Sequence, residues 1–397
     1  MSEEETQIPS QSRICLAGVG GGALGILELF RRKAIPGIDI VGFDTDAREL
    51  DRYPEIHSIR IGRSLLRGLG CGGDEDVGRL AAESDRSQIS ECLAGYDLAI
   101  FIGCLGRGCA SGALPVIVEL AGQSGCPTVS IVSRPFEFEG NRPGTVARKA
   151  LGEVRRVSDC VIELPNDLIF QEAEDSDRAD QLFASSDEWM FRAVSALVGP
   201  LYRPGKMCAD LASFRNALKG DESRIHFSTC RVPVANAAES AQRAIFNCPF
   251  RSAGIEKVQA DRLLVSIGTG GGLTVAGFSE LTDTVTALFD SREDAVFGFW
   301  EDESLGEEVE VTIFARTELS AAATRSRLPQ KVDVHVSKLD QKKDKKTKDR
   351  VQTEFDTLLE HNERGLFGQM NVEAYNGIDL DKPTFLRRGI KIAMPKG

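Results

Sequence analysis

Two glycine-rich stretches carry the residue types that hold phosphates. They are GVGGGALG, Gly18 to Gly25, and GCLGRGCASG, Gly103 to Gly112. The apolar runs RICLAGV and YDLAIFI precede them, and GILELFRRKA and ALPVIVEL follow. Glycine lets a backbone turn sharply and come close to an anion, and the free N–H groups and dipole of a following helix attract negative charge. A dinucleotide fold needs one such turn. Two of them, each between a strand and a helix, point to one polyphosphate gripped from two sides. Pro115 is expected in the first turn of the second helix, where its missing N–H costs little. Gly18, Gly20 and Ala23 also fit G-x-G-x-x-A, and Asp44 closes the next apolar run, near where a ribose-binding acid belongs. A nicotinamide or flavin enzyme therefore stays open at this point.

The surrounding pattern supplies the elements that position these turns. RICLAGV, IDIVGFD, LAIFIG, TVSIVS and CVIELP read as strands with helical segments between them. Such alternation predicts an α/β fold with a mostly parallel, Rossmann-like sheet covered on both faces. A long helix is expected from about Arg178 to Leu197, ended by the punctuation of GPLYRPG. A second sheet-and-helix block follows from about Ile225 to Arg316, with strands IHFSTCRV, RLLVSIG, AVFGFW and EVEVTIFA. After Leu319 the run KLDQKKDKKTKDR is basic and lacks aromatics, as in a solvated linker.

The expected organisation is an arm over 1–11, a nucleotide-binding domain over 12–177 and a central helix over 178–200. A loop and helix over 201–220, a smaller α+β second domain over 221–317, a charged linker over 318–370 and a terminal peptide over 371–397 complete it.

Composition narrows the function. The 397 residues allow two or three domains with a sizeable core. A net charge of -12 argues against general nucleic-acid binding, which relies on basic surface. The ten cysteines include no C-x-x-C pair, which argues against structural zinc. Several lie in apolar runs and read as small core residues in a reducing compartment. The start MSEEETQIPSQS is acidic and polar, unlike a secretory signal. No apolar run reaches the ~18–20 residues of a membrane span. The expected location is cytoplasmic.

Taken in order, the motifs resemble those of the FtsZ family, the bacterial relatives of tubulin. GVGGGALG resembles its first phosphate loop, and FDTDARELDRYP its N-T-D-A strand end. IGRSLLRGLGCGGDEDVGRLAAE resembles the loop that follows, and GRGCASGALPV falls where the tubulin signature G-G-G-T-G-T/S-G-A-A-P belongs. SRPFEFEGNR, LPND and FASSD resemble ribose- and base-side elements, and FWEDESLGEEVEVTIFA the end of the second domain. The likeness covers roughly residues 13–316 and the tail.

The resemblance implies a tubulin/FtsZ-like fold that binds GTP or GDP, with Mg2+ accompanying the nucleotide and no metal ligand from protein side chains. It implies head-to-tail filaments in bacterial cell division, and a location at the division site. Carried over by position, Gly20, Gly21 and Gly22 face the α/β-phosphates, with Ala23 and Gly25 in the same loop. Gly72 and Gly73 lie in the next phosphate-side loop. Gly106, Arg107, Gly108, Cys109, Ala110, Ser111 and Gly112 form the main cradle. Glu139 bonds the ribose and Arg142 approaches the phosphates. Phe183 stacks on guanine, Asn166 lies near the base, and Asp187 accepts from guanine N1–H and its exocyclic amine. On the residues alone, Phe183 could equally be a core side chain and Asp187 a solvated acid.

Departures from the family pattern cluster at the chemistry. Arg107 stands for a glycine, Cys109 for a threonine and Ala110 for a glycine; Cys104 also replaces a glycine, and Gly25 a common asparagine. The basic residue expected after FEG falls on Pro143, leaving Arg142 one place early. After the central helix the family reads N-x-D-x-x-D, a loop that enters the next subunit's nucleotide site. Here it reads CADLAS: Asp210 remains and Ser213 takes the second aspartate's place. A serine without a partner base accepts no proton at neutral pH, and general-base assistance is worth roughly 10²–10⁴-fold. Hydrolysis is therefore expected to be weak. The alternatives are a non-hydrolysing regulator that co-assembles with a conventional FtsZ, and the dinucleotide-dependent oxidoreductase.

DLDKPTFLRRGIKI resembles the family's C-terminal peptide, with Lys382 for isoleucine. Pro383 restricts the backbone before it, Phe385 and Leu386 offer apolar anchors, and Asp381, Arg387 and Arg388 offer charge. Such a segment orders on a partner's groove. The resemblance assigns it to membrane-tethering division proteins.

Overall fold

The computed structural model describes residues 13–33, 37–170, 178–202, 211–218, 224–250, 260–289, 295–317, 374–375 and 378–379. Asp210 and the terminal residues Asp381, Pro383, Phe385, Leu386, Arg387 and Arg388 lie outside them. The chain divides into two units, Met1–Thr324 and Arg325–Gly397. In the second, the strands Ala374–Tyr375 and Ile378–Asp379 pair antiparallel.

The first unit is built on a ten-stranded sheet. Strands β1 (Ile14–Val19), β2 (Ile38–Asp44), β3 (His57–Arg60), β4 (Leu98–Cys104), β5 (Thr128–Arg134) and β6 (Cys160–Pro165) run parallel in the order β3-β2-β1-β4-β5-β6. Strands β7 (Arg224–Pro233), β8 (Arg262–Thr269), β9 (Ala295–Glu301) and β10 (Glu308–Thr317) continue it as β7-β10-β8-β9. The second block is thus no separate sheet. It joins the first at one register pair, Ile162 with Ile225. Beyond that joint β10 runs antiparallel to both β7 and β8.

Side chains alternate between two buried faces. On β1, Ile14 and Leu16 enter one core with Leu98, Ile100 and Ile102 of β4. Cys15, Ala17 and Val19 enter the opposite core with Ala99 and Phe101. Burial on both faces is why these strands read as unbroken apolar runs. The helix Gly21–Lys33 and the central helix Ala179–Tyr202 cover the first face. Helices Glu75–Ser84, Gly108–Gln123 and Asn141–Val157 cover the second. Helices Ala237–Phe246 and Val275–Leu288 cover β7–β10.

Two expectations about proline need correction. Pro115 lies in the middle of Gly108–Gln123, because that helix starts directly after Arg107. The central helix runs on to Tyr202 with Pro200 inside it, past the expected stop. Tertiary packing explains this: a Cβ on Gly298 of β9 would lie 2.4 Å from Pro200 Cβ, so the ring sits directly on the strand. Nearby, Trp300 fills the space left by Gly199 and Gly268, and its Nε1 donates to Ser266 Oγ at 2.8 Å.

The crossing of helices Glu75–Ser84 and Gly108–Gln123 depends on glycine. A Cβ on Gly112 would lie 1.9 Å from Glu75 O, and one on Gly78 would lie 2.2 Å from Gly108 O. These contacts are with backbone and cannot be relieved by a side-chain rotation. Gly112→Ala is expected to lower stability by about 1–3 kcal/mol through overpacking. An unchanged midpoint in urea denaturation would contradict this packing role.

Candidate functional site

The strand order reverses between β1 and β4, each of which is followed by a glycine turn and a helix. Open parallel sheets receive ligands at such a switch point, outside the carboxyl ends of the strands. A cavity of about 660 Å³ lies there. Its floor is Gly20, Gly21 and Gly22 on one side and Arg107, Gly108, Cys109 and Ala110 on the other. The two turns pack together: a Cβ on Gly20 would lie 3.2 Å from Ala110 Cβ. Gly20 has φ +88° and donates its N–H to Phe43 O at 2.8 Å, a conformation and a closeness that a side chain would strain.

Gly106 has φ +111° and donates its N–H to Ser111 Oγ at 2.8 Å. Arg107 follows at the N-cap of the Gly108 helix and supplies no side-chain acceptor to the free N–H groups of the first turn. An uncapped helix start beside a glycine turn attracts an anion. Opposite it, Gly72 (φ +60°) and Gly73 (φ +81°) have no atom within 4 Å of a would-be Cβ. That open glycine surface fits a triphosphate cradle.

The far end of the cavity has a different chemistry. Phe183, 47% exposed, sits edge-on to Phe136 with centroids 5.4 Å apart, and so is no core residue. Asn166 is buried, and its Oδ1 accepts from Ser186 Oγ at 2.8 Å. Asp187 lies beside them, and burial pushes its carboxyl up to about 6. A desolvated carboxylate next to an aromatic face suits a planar base that brings its own N–H donors.

Glu139 spans the two ends. Its Oε1 accepts from Phe136 N at 3.0 Å, and Oε2 lies 3.9 Å from the exposed Arg107 guanidinium. Asp44 is buried, and its Oδ1 accepts from Thr45 N at 2.6 Å and Asp46 N at 3.0 Å. Burial raises its pKa. Asp44 lines the cavity, with its Oδ1 engaged by the backbone of its own loop.

Gly20, Gly21, Gly22, Gly25, Gly72, Gly73, Arg107, Gly108, Cys109, Ala110, Glu139, Asn166, Phe183 and Asp187 thus share one cavity. Ala23, Gly106, Ser111, Gly112 and Arg142 do not line it. Ala23 is buried in the core, Gly106 and Ser111 shape the turn, Gly112 seats a helix, and Arg142 is exposed on the helix Asn141–Val157. Ser213 lies half-buried in the helix Leu211–Leu218.

Sequence reasoning missed Arg48, Arg52, Tyr53 and Cys71, which also line the cavity. The four-residue spacing of Arg48 and Arg52 in DARELDRYP was the available signal for the arginines, since it puts them on one helical side. Arg48 pairs with Asp46 at 2.9 Å and Arg52 with Glu49 at 3.0 Å. For Cys71 the available signal was its place between Gly70 and Gly72 in the second phosphate-side loop. Cys15, Cys126, Cys160, Cys230 and Cys248 are indeed buried, while Cys71, Cys104 and Cys109 face the cavity.

A parallel sheet of this order, opening at its reversal point between two glycine turns, defines a Rossmann-type α/β domain. Residues 14–174 match the model of the Tubulin/FtsZ family, GTPase domain. The fold is similar to that of the empty FtsZ dimer from M. jannaschii, at TM-score 0.72 and 25% identity over 78% of this chain and 89% of that one. It is also similar to the GTPγS-bound CetZ2 protofilament from Haloferax volcanii, at TM-score 0.62 and 21% identity over 76% of this chain and 92% of that one. Residues 14–174 thus form a GTPase domain of the Tubulin/FtsZ type, within a chain whose fold is FtsZ-like. Its GTPase domain implies binding of GTP or GDP.

Proposed function

We propose that this chain binds GTP or GDP in the cavity between the two glycine turns, assembles head to tail, and hydrolyses GTP slowly. The observation that carries the reading is one cavity with glycine turns and a helix start at one end and Phe183 with Asp187 at the other. The first end suits a triphosphate and the second suits guanine, whose donor pair adenine lacks. Mg2+ would come with the phosphates. Self-association is supported by the dimer and protofilament forms of its structural relatives. The reading extends to a filament task in cell division, with the C-terminal peptide docking on membrane-tethering proteins. Co-assembly with a conventional FtsZ is the second reading, favoured by Ser213 in place of a carboxylate. The test is GTP retention on gel filtration, followed by pelleting with and without GTP. If GTP is neither retained nor changes sedimentation, the proposal fails.

Arg107 supplies positive charge where the family pattern has glycine. Its guanidinium, exposed at the cavity edge, can pair with the terminal phosphate. Arg107→Ala is expected to weaken GTP binding about tenfold, more at low salt than at high salt. Tighter binding in a fluorescent-nucleotide titration would show instead that the arginine obstructs the cradle.

A further inference from the structure

The geometry points to Cys71 and Cys109 as a dithiol that a peroxide converts to a disulfide while the cavity holds no nucleotide; the nucleotide condition rests on the function proposed above. The two thiols come from separate elements, the turn Gly70–Gly73 and the first turn of the Gly108 helix. Cys71 Cβ lies 2.7 Å from where a Cβ on Gly108 would stand, so this turn rests directly on the residue before Cys109. The two thiols are near enough to influence each other's ionisation, and Thr45 Oγ1 lies 3.1 Å from Cys71 Sγ. Both thiols line the cavity, and that shared face is the route by which a small oxidant meets the pair. Disulfide bonding needs Cα atoms within about 4.4–6.8 Å. Positive-φ glycines on both sides of Cys71, with open space beside Gly72 and Gly73, give the turn freedom to meet that requirement.

Thiol chemistry requires a thiolate and access. Cys71 sits on the turn with open space beside Gly72 and Gly73, so a peroxide meets it first, and the neighbouring Cys109 thiol holds it below its ordinary value; Cys71 is the attacking group. Its thiolate attacks one peroxide oxygen, forming an S–O bond and breaking O–O, and the departing hydroxide takes a proton to become water. The Cys109 sulfur then attacks Cys71 sulfur, forming S–S and breaking S–O. The second hydroxide leaves with the Cys109 proton as another water. Two thiols are oxidised and one peroxide is reduced to two waters. Cys104, the third thiol on the cavity, faces Gly22 instead, and burial pushes it up to about 11. Nucleotide phosphates lying over Gly72 and Gly73 would cover Cys71 and slow the first step.

The test treats the full chain, freed of nucleotide, with hydrogen peroxide and maps its peptides without reduction. The expected product joins the peptide carrying Cys71 to the one beginning at Gly108. Fragment ions must place the link at Cys109, because that peptide also contains Cys126. The link should disappear with dithiothreitol and in Cys71→Ser, and persist in Cys126→Ser. Links to Cys104 or Cys126, or peroxide-stable free thiols at Cys71 and Cys109, would overturn the pairing. Saturating GTP is expected to slow linkage about tenfold. An equal rate, in protein shown to retain GTP, would overturn the nucleotide condition. A chain that retains no GTP would undo the proposed function, leaving the peptide map to judge the thiol pair by itself.

Discussion

Asp187→Ala is expected to lower affinity for GTP on the order of 100-fold, within the ~2–5 kcal/mol that truncating one member of a buried charged hydrogen-bond pair costs. The carboxylate would accept from guanine N1–H and the exocyclic amine, and alanine leaves both donors unpaired. Affinity for ATP should be weak before and after the change. Burial pushes this carboxyl up to about 6 from 3.8 in the nucleotide-free chain. GTP affinity should therefore fall as pH drops below about 6, approaching tenfold per pH unit once the acid is protonated.

The stability effect has the opposite sign. A carboxyl raised by the fold contributes stability that is complete below the ordinary value of 3.8 and is lost as pH rises through about 6. At neutral pH the empty protein thus holds a partly desolvated charge. Asp187→Asn should raise the melting temperature of the empty protein at about pH 7.5 and leave it unchanged at about pH 4. After discounting for solvent screening, the gain is about 1–2 kcal/mol. Melting curves at the two pH values, with and without GTP, test both signs. A variant that binds GTP like the parent would remove Asp187 from base recognition.

Ser213→Asp is expected to raise phosphate release on the order of 100-fold, within the range of general-base assistance. Ser213 is the third residue of the helix Leu211–Leu218. A carboxylate in a first helical turn is favoured by the helix dipole, so the substitution suits the backbone. Because the loop would act on a neighbouring subunit's nucleotide, the gain should depend on protein concentration and accompany the pelleting fraction. Parent protein that hydrolyses as fast as the variant would show that Ser213 is not the limiting departure.

Much of the fold was legible because its signals are local. Apolar runs broken by glycine turns predicted the strands of the parallel sheet, and the second block showed the same pattern. The central helix was placed, but its end was misjudged because Pro200 is held by β9, far away in sequence. The joining of both blocks into one sheet was equally hidden, since it turns on the pairing of Ile162 with Ile225. Among the expected site residues, Gly20 and Phe183 were readable from their motifs. Cys71 lay in a readable glycine loop, but its approach to Cys109 was not legible, because it depends on packing between elements distant in the chain.

The amino-acid sequence by itself determined the order of motifs, the two phosphate-type turns and the departures at Arg107, Cys109 and Ser213. These are matters of residue identity and spacing, and turn chemistry acts over a few neighbouring residues. Only the tertiary structure decided which glycines face the cavity and which seat a helix, as Gly72 and Gly112 show. It alone brought Cys71 onto Gly108 and buried Asp187 enough to lift its pKa. Those properties arise between residues distant in the chain, where packing and desolvation, not local preference, set the outcome.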